Sequence, residues 1–243
     1  MVQFARERTL TLATLVPRLR KSLAASAGTV VFGMEDGTVS IFGLVFGVAA
    51  TTSSSVAVLV AGASGAAAAA VSMMAGAYLD AETDRDEAAA SEAQIEADLA
   101  LNHGAVATML SRRLADAGLA PPLSAALAGA VRQNPDALRG LLLALQRGSQ
   151  EHLDPLEQAL WMLLADFLSA AVPILPFMVL PVARARFVSA AITTLLLVAL
   201  GVGRAKIGNR SIGRTVAETV SMGLTAALAG VAIGLLISRG FGG

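Results

Sequence analysis

Chemistry in this chain starts with an acid pair in an apolar run. The stretch GMEDGTVSIFGLVFGVA carries Glu35 and Asp36 among residues that otherwise suit hydrocarbon. An acid at the centre of a membrane helix costs about 2.5–3.5 kcal/mol on insertion scales, so such residues face a cavity or a partner and usually serve a function. Helical steps of three and four from Asp36 reach Gly33, Ser40, Gly43 and Gly47, a stripe of small residues that lets helices approach closely. Asp36 is therefore expected to point into a bundle or dimer seam. Glu35 lies off that stripe, and for it a function and a tolerated place near the interface are equally good readings. A second apolar run ends VSMMAGAYLDAE, where Met73 shares a face with Gly62, Ala66, Ala69 and Gly76. Its thioether is a soft donor that binds a transition metal without burying a charge; plain membrane filler is the other reading.

Beyond that run the acids cluster. Asp80, Asp84 and Glu87 fall at i, i+4 and i+7, and Glu92, Glu96 and His103 at i, i+4 and i+11. Each set lies close to one helix face. Exposed helices are charged by default, so a solvated face is the plain explanation. The sharper one is that like charges four residues apart destabilise a helix by about 0.2–0.5 kcal/mol unless a cation offsets them, as a divalent ion would.

The elements that must hold these residues follow from composition. Of 243 residues 55% are hydrophobic and 15% charged, arranged in long Ala/Val/Leu/Gly blocks. A spanning helix takes roughly 20 apolar residues, and five stretches qualify: 28–50, 56–79, 159–181, 186–203 and 214–237, the fourth the shortest. The expected fold is all-α: a polytopic membrane protein with five transmembrane helices and a cytoplasmic helical insert between helices 2 and 3. Residues 1–27 read as an amphipathic segment and not a cleavable signal, 28–79 as helices 1 and 2, 80–158 as the insert, and 159–243 as helices 3 to 5. The insert is expected to hold three helices, broken at Gly118–Pro122 and near Asn134–Pro135. Of 18 Lys and Arg, five precede the first span, six lie in the insert and four in Arg204–Arg214, so 15 share one face. The positive-inside rule makes that face cytoplasmic, with the C-terminus opposite.

Equal numbers of basic and acidic residues and few aromatics give no sign of nucleic-acid binding. With no cysteine, a metal site must use oxygen, imidazole or thioether. No G-x-S-x-G, H-E-x-x-H or P-loop pattern occurs, and His103 and His152 are the only histidines, so no enzyme activity and no cofactor are expected.

The run Gly33–Ala49, then SMMAGAY and an acidic insert, then NPDALRGLL and DPLEQALWMLLADFLSAAVPILPF, resembles the vacuolar iron transporter family over residues 28 to 237. The resemblance implies a five-span homodimer with an ion path between subunits, exporting ferrous iron, often manganese, from the cytosol in exchange for protons. Asp36 and Met73 match the acid and methionine that line the path, and Asp84, Glu87, Glu92 and Glu96 best match the metal-binding carboxylates of the cytoplasmic helices. Departures are clear: Ala77 stands where the family carries an acid, a second acid is missing around Gly65 and Ala66, and Ala88–Ala90 replace expected glutamates. Asp80 and Glu82 are candidate stand-ins, and Glu151, His152, Asp154 and Glu157 could complete a site. The competing readings are a transporter of another substrate that has lost acidic ligands, and a membrane scaffold or metal sensor.

Overall fold

The computed structural model describes residues 12–132, 134–147 and 154–241. The chain divides into two compact units, Met1–Leu79 with Leu153–Gly243, and Asp80–His152. Among the described residues all regular structure is helical, and five helices are long and apolar enough to cross a membrane.

In the first unit, α1 (Leu12–Ala25) is followed by the first span, α2 (Ala27–Thr51). The next helix, α3, runs unbroken over Ser55–Leu101; its part up to Leu79 is the second span and the remainder belongs to the other unit. Later come α7 (Pro155–Ile174), the single turn α8 (Pro176–Val179), α9 (Val182–Ile207) and α10 (Ile212–Phe241). The α7 start is written in its sequence: Asp154 accepts a hydrogen bond from the Leu156 N–H at 3.0 Å and Pro155 takes the first helical position. The third span is shorter than expected from the sequence. Pro173 and Pro176 flank Ile174 and Leu175, and the helix stops at Ile174 because the Pro176 ring removes one backbone donor and crowds the preceding turn. The fourth span is longer than its apolar run, because α9 includes Arg184 and Arg186 at its start and Arg204 and Lys206 at its end. Long basic side chains at helix ends reach the interface while their stems stay in the apolar layer.

Spans α7 and α10 both run parallel to α2, and glycine sets how closely they approach. A β-carbon at Gly33 would stand 2.8 Å from the Met162 sulfur, and one at Gly37 would collide with the Asp166 carbonyl oxygen, so this side of α2 is filled by α7. On the other side, a β-carbon at Gly43 would lie 2.8 Å from the Ala226 carbonyl oxygen and one at Gly47 2.7 Å from that of Gly230. From α10, Gly230 and Gly234 meet the carbonyls of Gly43 and Gly47 in return. The small-residue stripe expected to face a bundle or dimer seam is used within the chain at Gly33, Gly43 and Gly47, while Ser40 is exposed. Close helix packing needs small residues whether the neighbour is a second copy or the same chain, so the pattern does not name the partner.

A core of Ile41, Val45, Ala49, Val58, Ala66, Ala170, Ile174, Phe177, Val182 and Ala185 joins spans 1 to 4. Large apolar side chains such as Phe187 (80% exposed) and Leu236 (69%) face outward, the reverse of a water-soluble protein and the arrangement that hydrocarbon solvent favours.

The second unit holds the end of α3, α4 (His103–Asp116), α5 (Pro121–Arg132) and α6 (Pro135–Arg147), packed on Ile95, Leu99, Val106, Leu110, Leu138 and Leu142. The breaks at Gly118 and Asn134 fall where the sequence puts them. At the first, Leu119 N–H bonds to Leu114 O and Gly118 N–H to Ala115 O, with Gly118 at φ +96°, the glycine-terminated helix end. A further break at Asn102 divides the insert into four helical pieces, not three: Asn102 is extended, and its side chain accepts from the Ala105 N–H at 3.0 Å to start α4. That turn removes His103 from the helical register of Glu92 and Glu96.

Candidate functional site: a carboxylate-lined cleft in the membrane domain

Ten residues into α2, or about 15 Å at 1.5 Å per residue, Asp36 is half-buried. A cleft of about 460 Å³ reaches it, lined by α2 residues including Phe32, Glu35 and Val39, by Arg204 and Arg210 around the α9–α10 turn, and by Met222. The turn that brings the two arginines there has a local cause. Asn209 adopts φ +49°, a left-handed conformation that asparagine tolerates, and Arg210 N–H bonds back to Ala205 O at 2.8 Å to close α9.

Glu35 and Asp36 are one residue apart and have opposite fates. Glu35 is buried, accepts from Arg204 Nη1 at 3.0 Å, and accepts from the Thr219 hydroxyl at 3.1 Å. Its charge is thus compensated by α9 and α10, a structural ion pair at the edge of the cleft. Arg210 is also engaged, 3.4 Å from Glu218, which Arg214 holds from the other side at 3.1 Å.

Among the described residues Asp36 has no such cation. Facing its carboxyl group is that of Asp166 on α7. Asp166 is fully buried and, among the described residues, no N–H or hydroxyl donates to either of its carboxylate oxygens. Sequence reading passed over Asp166 although the signal was the one that singled out Asp36: an acid inside an apolar span, here in LLADFLSAAV. Its depth and orientation depend on α7 lying against Gly37, which only the packing reveals.

Met73 is half-buried on α3 and does not line the cleft. Gly62 packs on Val45, and Gly65 on Ile41 and Leu44, an antiparallel register that, continued eight residues along α3, brings Met73 level with residues 33–36 of α2. Asp36 and Met73 thus share a depth.

In the second unit, Asp84 and Glu87 are exposed on α3. Glu92 and Glu96 are brought together by a cation from within the chain: Arg139 Nη2 on α6 stands 2.8 Å from Glu92 Oε1 and 2.6 Å from Glu96 Oε1. The offset that their i, i+4 spacing calls for is thereby supplied by an arginine. Among the described residues no three His, Asp or Glu side chains form a ready metal cage. Asp80 and Glu82 are exposed on α3, Asp154 serves as the α7 cap, and Glu151 and His152 lie outside the described residues.

Comparison with known proteins agrees with this architecture. The sequence model of the VIT family matches residues 27–235. The chain is 27% identical to vacuolar iron transporter 1 of Arabidopsis thaliana over 63% of its own length and 62% of that protein's. It is 28% identical to vacuolar iron transporter 1 of Eucalyptus grandis over 64% and 63% of the two lengths. The alignments thus span less than two thirds of the curated relatives they match.

Proposed function

Since the chain belongs to the VIT family, we propose that it is a membrane transporter that carries a divalent metal ion, ferrous iron or manganese, out of the cytosol in exchange for protons. The observation that carries the proposal is Asp36: a carboxylate within a membrane span that lines a cleft and, among the described residues, has no cationic partner. Glu35 cannot take this role while Arg204 holds it. The matched relatives are vacuolar iron transporters, and they supply the substrate class. Met73, at the same depth as Asp36, adds a thioether that suits a borderline metal and disfavours a hard alkaline-earth ion. Protons arriving from the opposite face would compete with the metal for carboxylate ligands, which gives a physical route for exchange.

The N-terminus and the 80–152 unit are assigned to the cytoplasmic side by the bias of 15 of 18 basic residues. There the carboxylates of Asp84 and Glu87 are open to capture an ion, while Glu92 and Glu96 exchange Arg139 for it. The functional unit is a homodimer, in which a second copy closes the exposed side of α2 around Phe32 and Ser40, next to Asp36.

Purified protein in liposomes, assayed for Fe²⁺ and Mn²⁺ uptake with and without a pH gradient, tests the reading. Metal flux that rises with an opposing proton gradient and disappears in Asp36→Ala is the expected result. Folded protein that carries neither metal under either gradient refutes it, and leaves the scaffold and sensor readings.

A further inference from the structure

Asp166 is the most deeply buried acid among the described residues of the membrane unit. It sits twelve residues into α7, fully buried, and among the described residues no N–H or hydroxyl group donates to either of its carboxylate oxygens. Every other buried acid described in this unit has compensation, as Glu35 has from Arg204 and Thr219. An acid at such depth is retained against an insertion cost of about 2.5–3.5 kcal/mol. Moreover, the sequence gives it room: Gly33 and Gly37 of α2 lie under Met162 and Asp166 of α7, so two glycines let the one face of α7 that carries a thioether and a carboxylate press against α2 beside Asp36. The Asp166 carboxyl group is aimed at Asp36, which lines the cleft.

We infer that Asp36 and Asp166 together form an intramembrane binding site for one divalent cation, bridged between spans α2 and α7 of a single chain. The two carboxyl groups stand within hydrogen-bonding reach of each other and, among the described residues, no cation lies between them; a divalent ion supplies the missing positive charge and satisfies both oxygen sets at once. Asp36, half-buried, receives the ion from the cleft, and Asp166 behind it completes the charge balance. The site explains how the chain functions without the acids absent near Ala77 and Gly65: the second carboxylate is carried by the third span instead of the second. This inference rests on the transport reading and adds a ligand to it.

The test is Mn²⁺ binding to the full-length protein in detergent, followed by the loss of the free-ion electron paramagnetic resonance signal, alongside liposome flux. Asp166→Asn, nearly isosteric, and Asp36→Asn should each remove the same single ion per chain, weakening it about tenfold or more, since loss of even an outer-shell partner costs 10–100-fold. The double variant should lose no further ion. Because the chain has no cysteine, Asp36→Cys with Asp166→Cys supplies a second measurement that does not depend on the asparagine variants folding. One Cd²⁺ per chain should give a thiolate-to-metal absorption band that is stronger per bound ion than the band of either single cysteine. Wild-type flux with Mn²⁺ stoichiometry and affinity unchanged in Asp166→Asn overturns the inference and spares the transport reading, as does a folded double-cysteine variant without the stronger band. Wild-type protein that neither binds nor carries Mn²⁺ or Fe²⁺ overturns both.

Discussion

Replacing Arg204 by Met tests the ion pair at the edge of the cleft. The substitution keeps an apolar stem of similar length and leaves Glu35, whose side chain is 11% exposed, buried with only the Thr219 hydroxyl. Breaking a buried pair from one side costs about 3–5 kcal/mol. Arg204 keeps 35% of its side chain exposed, so water already screens the pair and the expected cost is nearer 2–3 kcal/mol. At 1.4 kcal/mol per decade that is roughly a 30- to 140-fold shift toward the unfolded state. For a chain of this size it lowers the melting temperature by about 4–12 °C. Glu35→Gln should cost less, about 1 kcal/mol or under, because the arginine left behind reaches the open cleft. The double variant should return to within about 1 kcal/mol of wild type, since removing both charges removes the desolvation penalty with the attraction. Thermal unfolding of the four proteins in one detergent, read by near-ultraviolet circular dichroism, completes the cycle. A loss under about 1 kcal/mol for Arg204→Met, or a double variant equal to the sum of the singles, would show that Glu35 is not held as described.

Other consequences are as direct. Gly43→Leu should destabilise the protein by at least about 1–3 kcal/mol through overpacking against the Ala226 backbone, even where the protein is monomeric; unchanged melting would mean that α2 and α10 do not touch. Arg139→Gln removes the cation shared by Glu92 and Glu96 and should tighten Mn²⁺ binding by the 80–152 unit in titrations of the whole protein, whereas unchanged affinity removes these two glutamates from the capture site. Met73→Leu preserves volume and should leave stability within about 1.5 kcal/mol while lowering flux, so unaltered flux assigns the methionine to packing. Cysteines at exposed Ser53 and Ser211 should react with an impermeant reagent from opposite faces, Ser211 from the cytoplasmic one; the reverse labelling inverts the topology.

Sequence alone determined what depends on solvent and local chemistry. Five apolar runs of spanning length demand five helices, because hydrocarbon leaves the backbone no other donor or acceptor. The charged continuation of the second span and the breaks at Gly118 and Asn134 follow from residues that act on their own neighbours. Asp36 was legible for the same reason, since an acid among apolar residues is costly wherever it lies. The extra break at Asn102 was missed because a capping side chain competes with a helix that could otherwise have continued.

Packing decided who meets whom. A glycine stripe says that something approaches closely, and only the fold shows that α7 and α10 do so at Gly37 and Gly47. Glu35 and Asp36 are neighbours of the same chemical type, yet Arg204, 168 positions beyond Asp36, neutralises one and leaves the other. Glu92 and Glu96 called for a cation by their spacing, but that it is Arg139 of α6 is a tertiary fact. Asp166 stands opposite Asp36 for the same reason: a charge acts through space, and proximity between distant positions belongs to the fold and not to the order of residues.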